Sequence, residues 1–109
     1  MTRVIISGTS RGIGKAVAEL FASVRDNHNN LMYDVFGIDK NPVESEFLTY
    51  APNYHHYIAD VRDTLPDIEF PEIVIANAGT QDDDDSIDVN LVGLINFCEA
   101  YAEIGRAHV

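Results

Sequence analysis

Residues 3–7 form a short β-branched run, Arg-Val-Ile-Ile-Ser, which feeds directly into Gly8-Thr9-Ser10-Arg11-Gly12-Ile13-Gly14. An apolar strand running into a glycine-spaced turn and then a helix is a way to hold a phosphate. The spacing is G-x-x-x-G-x-G, so the commoner G-x-G-x-x-G pattern is not met. Gly8 lets the chain leave the strand in a backbone conformation closed to most side chains. Gly12 removes a side chain where a pyrophosphate must approach, and Gly14 lets the helix pack closely on the strand. The free amides of this turn, through Ser10, Arg11 and Ile13, and the positive end of the helix dipole then face the phosphates.

The rest of the chain alternates strand and helix. Residues 3–7 lack polar alternation, so this strand is expected to be buried on both faces. Ile13, Val17, Leu20, Phe21 and Val24 recur at helical steps, and the polar residues 26–30 end that helix. Residues 33–38, 54–59 and 72–76 read as further strands. Pro42 and Pro52 predict a short or irregular crossover between the second and third strands, and Pro66 and Pro71 a turn-rich link before the fourth. A long helix is expected from Ser86, with Ile87, Leu91, Leu94, Ile95 and Cys98 on one side. This pattern predicts an α/β fold: a Rossmann-type, doubly wound parallel sheet, truncated after about four strands.

Composition excludes several roles. The net charge of −11 disfavours nucleic-acid and anionic-membrane partners, which need basic surface. It does not disfavour an anionic cofactor, which local amides can hold. No apolar run reaches the ~18 residues of a membrane span. The lone Cys98 cannot form an internal disulfide, and a cytoplasmic location is the default expectation. The four consecutive acids Asp82 to Asp85 lack the spacing of a metal loop. They are expected to complement the helix opening near Ser86, and no metal is expected. His55 and His56 point to opposite faces of a strand, which argues against a zinc pair.

Residues 7–14 resemble the T-G-x-x-x-G-x-G turn of the short-chain dehydrogenases/reductases, with Ser7 in place of Thr. Three further matches follow in that family's order: Asp60-Val61 after the third strand, Asn77-Ala78-Gly79 after the fourth, and Val89-Asn90 with Gly93 on the next helix. The resemblance spans nearly the whole chain. It implies that Asp60 accepts from the adenine amino group and that the Val61 amide contacts the ring. It also implies that Asn77 ties neighbouring strand ends, that Gly79 leaves room for a ribose, and that Asn90 serves a proton relay. The implied activity is hydride transfer between a nicotinamide cofactor and a small carbonyl/alcohol substrate. The alternative is a non-catalytic dinucleotide-binding or regulatory module.

Asp39 ends the second strand, where a carboxylate can accept the ribose hydroxyls of NAD and repel the 2′-phosphate of NADP. Arg11 and Lys40 argue the other way, and NAD is expected over NADP. The interval between Asn77 and Asn90 is shorter than in many relatives. The family's Tyr-x-x-x-Lys pair occurs nowhere in the sequence: no tyrosine is followed four residues later by lysine. The chain as given is therefore expected to lack turnover. Residues 1–102 read as the cofactor-binding part. Residues 103–109 resemble the translation of a sequencing-library adapter and are expected to be non-native. Without a fifth strand, residues 73–75 are expected to form an exposed apolar edge. The 86–102 helix is apolar over a broad arc, and in relatives such a helix often meets a second subunit; a homo-oligomer is expected for the full-length form.

Overall fold

The computed structural model describes residues 1–78 and 92–101, together with the backbone of residues 107–108. Gly79, Asn90, the acids Asp82 to Asp85, the helix start at Ser86, and Ile87, Val89 and Leu91 lie outside the described residues. So does the tail beyond Tyr101, apart from that two-residue backbone segment.

Strands β1 (Thr2–Ser7), β2 (Tyr33–Asp39), β3 (Tyr54–Ile58) and β4 (Ile73–Ile75) form a parallel sheet in the order β3-β2-β1-β4. Helices α1 (Gly12–Ser23), α2 (Glu46–Tyr50) and α3 (Leu94–Tyr101) accompany it. The first three strands step outward to one side, and β4 then returns to the other side of β1. This reversal opens a crevice beyond the carboxyl ends of β1 and β4, the place where such sheets bind ligands.

The sheet is covered on both faces, as the apolar β1 predicts. Val4, Ile5 and Ile6 are fully buried, and their side chains alternate. Val4 and Ile6 join Ala18, Ala22, Val35, Leu48 and Tyr54 beneath α1 and α2. Ile5 joins Ile38, Val61, Ile68, Val74, Phe97 and Tyr101 on the α3 face. Each face thus has its own core, separated only by the sheet.

Helix α1 differs from its sequence reading in which residues face inward. Ile13 is 76% exposed and Leu20 is 63% exposed, while the buried residues are Gly14, Ala18 and Ala22. Val17 and Phe21 pack beside them. The reason is distance: the helix starts so close to β1 that a Cβ on Gly14 would run into the Gly8 carbonyl. Only small residues fit along that line, and the large apolar residues flank it.

The β2–β3 crossover is short, as the prolines suggest. It holds the five-residue α2, whose first turn is capped by Ser45 Oγ accepting from the Leu48 amide at 3.1 Å. On α3, Phe97 and Tyr101 are the part of the broad apolar arc that is buried, Leu94 and Ile95 are the part left exposed, and Cys98 is partly buried. The buried pair faces the cluster around Ile5 and Val74. The expected open edge at β4 is also corrected. Ala107–His108 (β5) pair in parallel with Ile73 and Val74. An unpaired strand edge offers a row of amides and carbonyls, and any nearby extended backbone satisfies them. No helix among the described residues is long and apolar enough to cross a membrane.

Candidate functional site

One cleft lies at the carboxyl ends of β1, β2, β3 and β4. Gly8, Ser10, Arg11, Asp39, Lys40, Asp60, Val61, Asn77 and Ala78 all line it. Nine of the residues singled out from sequence therefore meet in one place. They come from four segments far apart in the chain, so local sequence alone could not have brought them together. Gly12, Ile13 and Gly14 form the first turn of α1 beside it. Gly79 and Asn90 lie outside the described residues.

Gly8 has the backbone its place in the turn predicts, and Gly12 shares it. Gly8 has φ +78° and Gly12 φ +65°, the left-handed region that side chains strain to enter. A Cβ on Gly8 would press on Ala78 of the neighbouring strand end. A Cβ on Gly12 would meet no protein atom within 4 Å, so the space above it is open to a ligand. Helix α1 begins without a side-chain cap and without an acidic residue in its first turn. Its first amides thus have no capping carboxylate or hydroxyl, which suits them to an anion. These features fit the pyrophosphate of a dinucleotide.

Asn77 acts as the expected tie, but weakly: its Nδ2 donates to the Gly8 carbonyl at 3.4 Å. The stronger tie is Ser7, which the sequence reading treats only as a substitute for Thr. Ser7 is buried, and its Oγ accepts from the amides of Asn77 at 2.9 Å and Ala78 at 3.0 Å. One hydroxyl therefore locks the end of β1 to the end of β4.

Asp39 stands at the cleft rim with both oxygens engaged. Oδ2 accepts from the Ser10 amide at 3.0 Å and Oδ1 from the Asn41 amide at 2.8 Å. Each carboxylate oxygen keeps a further lone pair for a ligand hydroxyl. Asp60 is gripped by Arg62, a residue the motif reading passed over. Arg62 Nε donates to Oδ1 at 3.0 Å and an Nη to Oδ2 at 2.6 Å, while the Arg62 amide donates to Oδ1 at 2.9 Å. These hydrogen bonds hold the Asp60 carboxyl below the usual carboxylate range. Asp60 thus caps its own turn, and it leaves an ionised acceptor facing the cleft.

Behind the rim, Tyr54 reaches from β3 across β2 to the glycine turn. Its Oη lies 2.8 Å from Thr9 Oγ1 and 2.6 Å from His56 Nδ1. Burial pushes its phenol up to about 12. The crossing requires Gly37: a Cβ there would collide with Tyr54 Oη and Thr9 Oγ1. The signal in the sequence was a glycine inside an otherwise apolar strand, which marks a close approach. His55, on the opposite face, pairs with Asp34 at 2.7 Å and stacks on Phe36, so the two histidines diverge as strand geometry demands.

Comparison with solved structures gives the same picture of the fold. The chain resembles a UDP-galactose 4-epimerase with TM-score 0.68 at 18% identity, over 90% of this chain and 33% of that one. It resembles a short-chain dehydrogenase from Mycobacterium paratuberculosis bound to NAD with TM-score 0.65 at 20% identity, over 91% of this chain and 48% of that one. The NADP complex of Pseudomonas aeruginosa RhlG matches with TM-score 0.66 at 16% identity, over 91% and 44%. The chain has the fold of a short-chain dehydrogenase. It spans half or less of the length of these three proteins. No protein-family model and no curated protein sequence matches it.

Proposed function

We propose that the chain is the cofactor-binding part of an NAD(P)-dependent short-chain oxidoreductase. The observation that supports this is the single cleft in which Gly8, Asp39, Asp60 and Asn77 converge from four strand ends. Amides of the glycine turn and the open space above Gly12 would take the pyrophosphate. The carboxylate of Asp39 would accept ribose hydroxyls, and Asp60 with the Val61 amide would take the adenine. The nicotinamide supplies hydride chemistry when the cofactor is bound. Asn90, which follows β4 in sequence, would serve the proton relay, and Gly79 would leave room for a cofactor ribose.

NAD is preferred over NADP in this reading because Asp39 puts negative charge where a 2′-phosphate would sit. Arg11 and Lys40 line the same cleft and soften that preference. Calorimetric titration of the chain with NADH, NADPH and ATP is expected to show tighter binding of NADH than NADPH, and no ATP binding. Failure to bind either dinucleotide would reject the reading.

The absence of Tyr-x-x-x-Lys supports a second proposal: this chain binds the cofactor without turning it over. Carbonyl-dependent oxidation of NADH by the 109-residue chain would overturn it. Val92, Leu94 and Ile95 are exposed together near the start of α3. They support a homo-oligomeric contact through this helix, which sedimentation of the wild type against Ile95→Ser would test.

A further inference from the structure

The two turns that flank the cleft are joined twice. One tie is direct: the Ser10 amide donates to Asp39, whose other oxygen accepts from the Asn41 amide. The second runs behind the cleft through side chains alone. Thr9 Oγ1 meets Tyr54 Oη at 2.8 Å, Tyr54 Oη meets His56 Nδ1 at 2.6 Å, and His56 Nε2 meets the Asn41 carbonyl at 2.8 Å.

The far end of this chain sets its direction. A carbonyl oxygen only accepts, so His56 Nε2 carries the hydrogen. In the neutral ring Nδ1 then accepts, and Tyr54 donates to it. The Tyr54 oxygen in turn accepts from the Thr9 hydroxyl. Every bond is used once, with no frustrated donor. Thr9 is fully buried, so its hydroxyl belongs to this chain and not to a ligand. The arrangement spans three neighbouring strands, and Gly37 on the middle strand leaves the gap through which it passes.

We infer that Tyr54 and His56 are positioning residues for the cleft: with Thr9 they hold the turn at Asp39–Asn41 against the glycine turn, and so set where the Asp39 carboxylate stands. Neither residue lines the cleft, and both act through Asn41 and Thr9. The identity of the ligand rests on the dinucleotide reading above; the brace itself does not.

The test uses the full chain and three variants. Tyr54→Phe keeps the ring in the Gly37 gap and removes both of its hydrogen bonds. His56→Asn can reach Tyr54 but not Asn41, whereas His56→Gln places an amide N–H where Nε2 stood. Two quantities are read: NADH affinity by calorimetry, and amide hydrogen exchange at Ser10, Asn41 and Ile5 without ligand. Tyr54→Phe and His56→Asn are expected to weaken NADH binding roughly tenfold and to speed exchange at Ser10 and Asn41 by a similar factor, the scale of one lost hydrogen bond. Ile5 exchange stays unchanged, and His56→Gln recovers most of both losses. Equal exchange and affinity in all variants would overturn the inference. So would faster exchange at Ile5 in parallel, which marks general destabilisation, or faster local exchange with NADH affinity intact. Should Tyr54→Phe fail to fold, the His56 pair decides alone. If the wild type binds neither NADH nor NADPH, the functional reading falls, and the brace stands or falls on exchange at Ser10 and Asn41.

Discussion

Helix α1 lies against its face of the sheet through Gly14, Ala18 and Ala22, whereas α3 holds the opposite face with Phe97 and Tyr101. The first contact works by closeness. Nothing stands between the helix start and the β1 backbone, which brings the α1 amides to the cleft. The second works by reach. Phe97 and Tyr101 fill the space under Ile5 and Val74, and polar clasps hold the helix to the β3–β4 link. Tyr101 Oη donates to the Pro66 carbonyl at 2.7 Å, and Asn96 Nδ2 donates to the carbonyls of Val61 at 2.7 Å and Asp63 at 2.8 Å. A contact made by closeness should tolerate lost atoms and fail on added ones. A contact made by reach should do the reverse.

The largest expected effect is on the α3 side. Phe97→Ala should cost about 3–5 kcal/mol by leaving a cavity under the helix, measured by urea unfolding. On the α1 side the damaging change is an addition. Gly14→Ala should cost about 1–3 kcal/mol, because the new Cβ meets the Gly8 carbonyl, which as backbone cannot swing aside, besides the Asn77 side chain. It should also weaken NADH binding, whereas Phe97→Ala should spare binding in the molecules that remain folded. A Gly14→Ala protein as stable as the wild type would break the contrast.

Ser7→Ala tests the join between the two sides. It strands the amides of Asn77 and Ala78, and should cost about 1–3 kcal/mol in thermal unfolding. Smaller still is the Asp60–Arg62 pair. The folded-state Asp60 carboxyl sits below its unfolded value, so its contribution is present above pH ~3.9 and fades as pH falls through the folded value. Arg62→Met should lower stability at pH 7 by about 1 kcal/mol or less and flatten the loss of stability below the unfolded carboxylate value, read from urea midpoints across pH. The smallest effect is Ile95→Ser, an exposed position, with a change within about 0.5 kcal/mol.

Much of this architecture was legible from residue pattern. Four strands, the short crossover and the special backbone at Gly8 follow from local rules, because β-branched runs, prolines and glycines restrict the backbone wherever they occur. The inward face of α1 was not. A hydrophobicity pattern ranks Ile13 and Leu20 above Gly14 and Ala18, and has no term for how near the neighbouring backbone stands. On α3 the pattern left the inward face open for the same reason: an apolar arc wider than one face does not say which part meets the sheet.

The candidate site divides in the same way. Gly8 and Asp39 were legible because each sits at a strand end, where a parallel sheet gathers its loops, whereas Asp60 and Asn77 were singled out through the family resemblance. Ser7, Arg62 and the Thr9–Tyr54–His56 chain were not, because a serine, an arginine or a tyrosine has no pattern until its partner is known. Sequence alone determined the path of the backbone: which segments are strands, where the chain turns, and where a glycine leaves the backbone uncovered. Tertiary structure decided which side chains share atoms across that path. Backbone preferences are local and repeat along the chain, whereas a hydrogen bond from β3 to the glycine turn exists only once three strands lie side by side and Gly37 leaves the space between them.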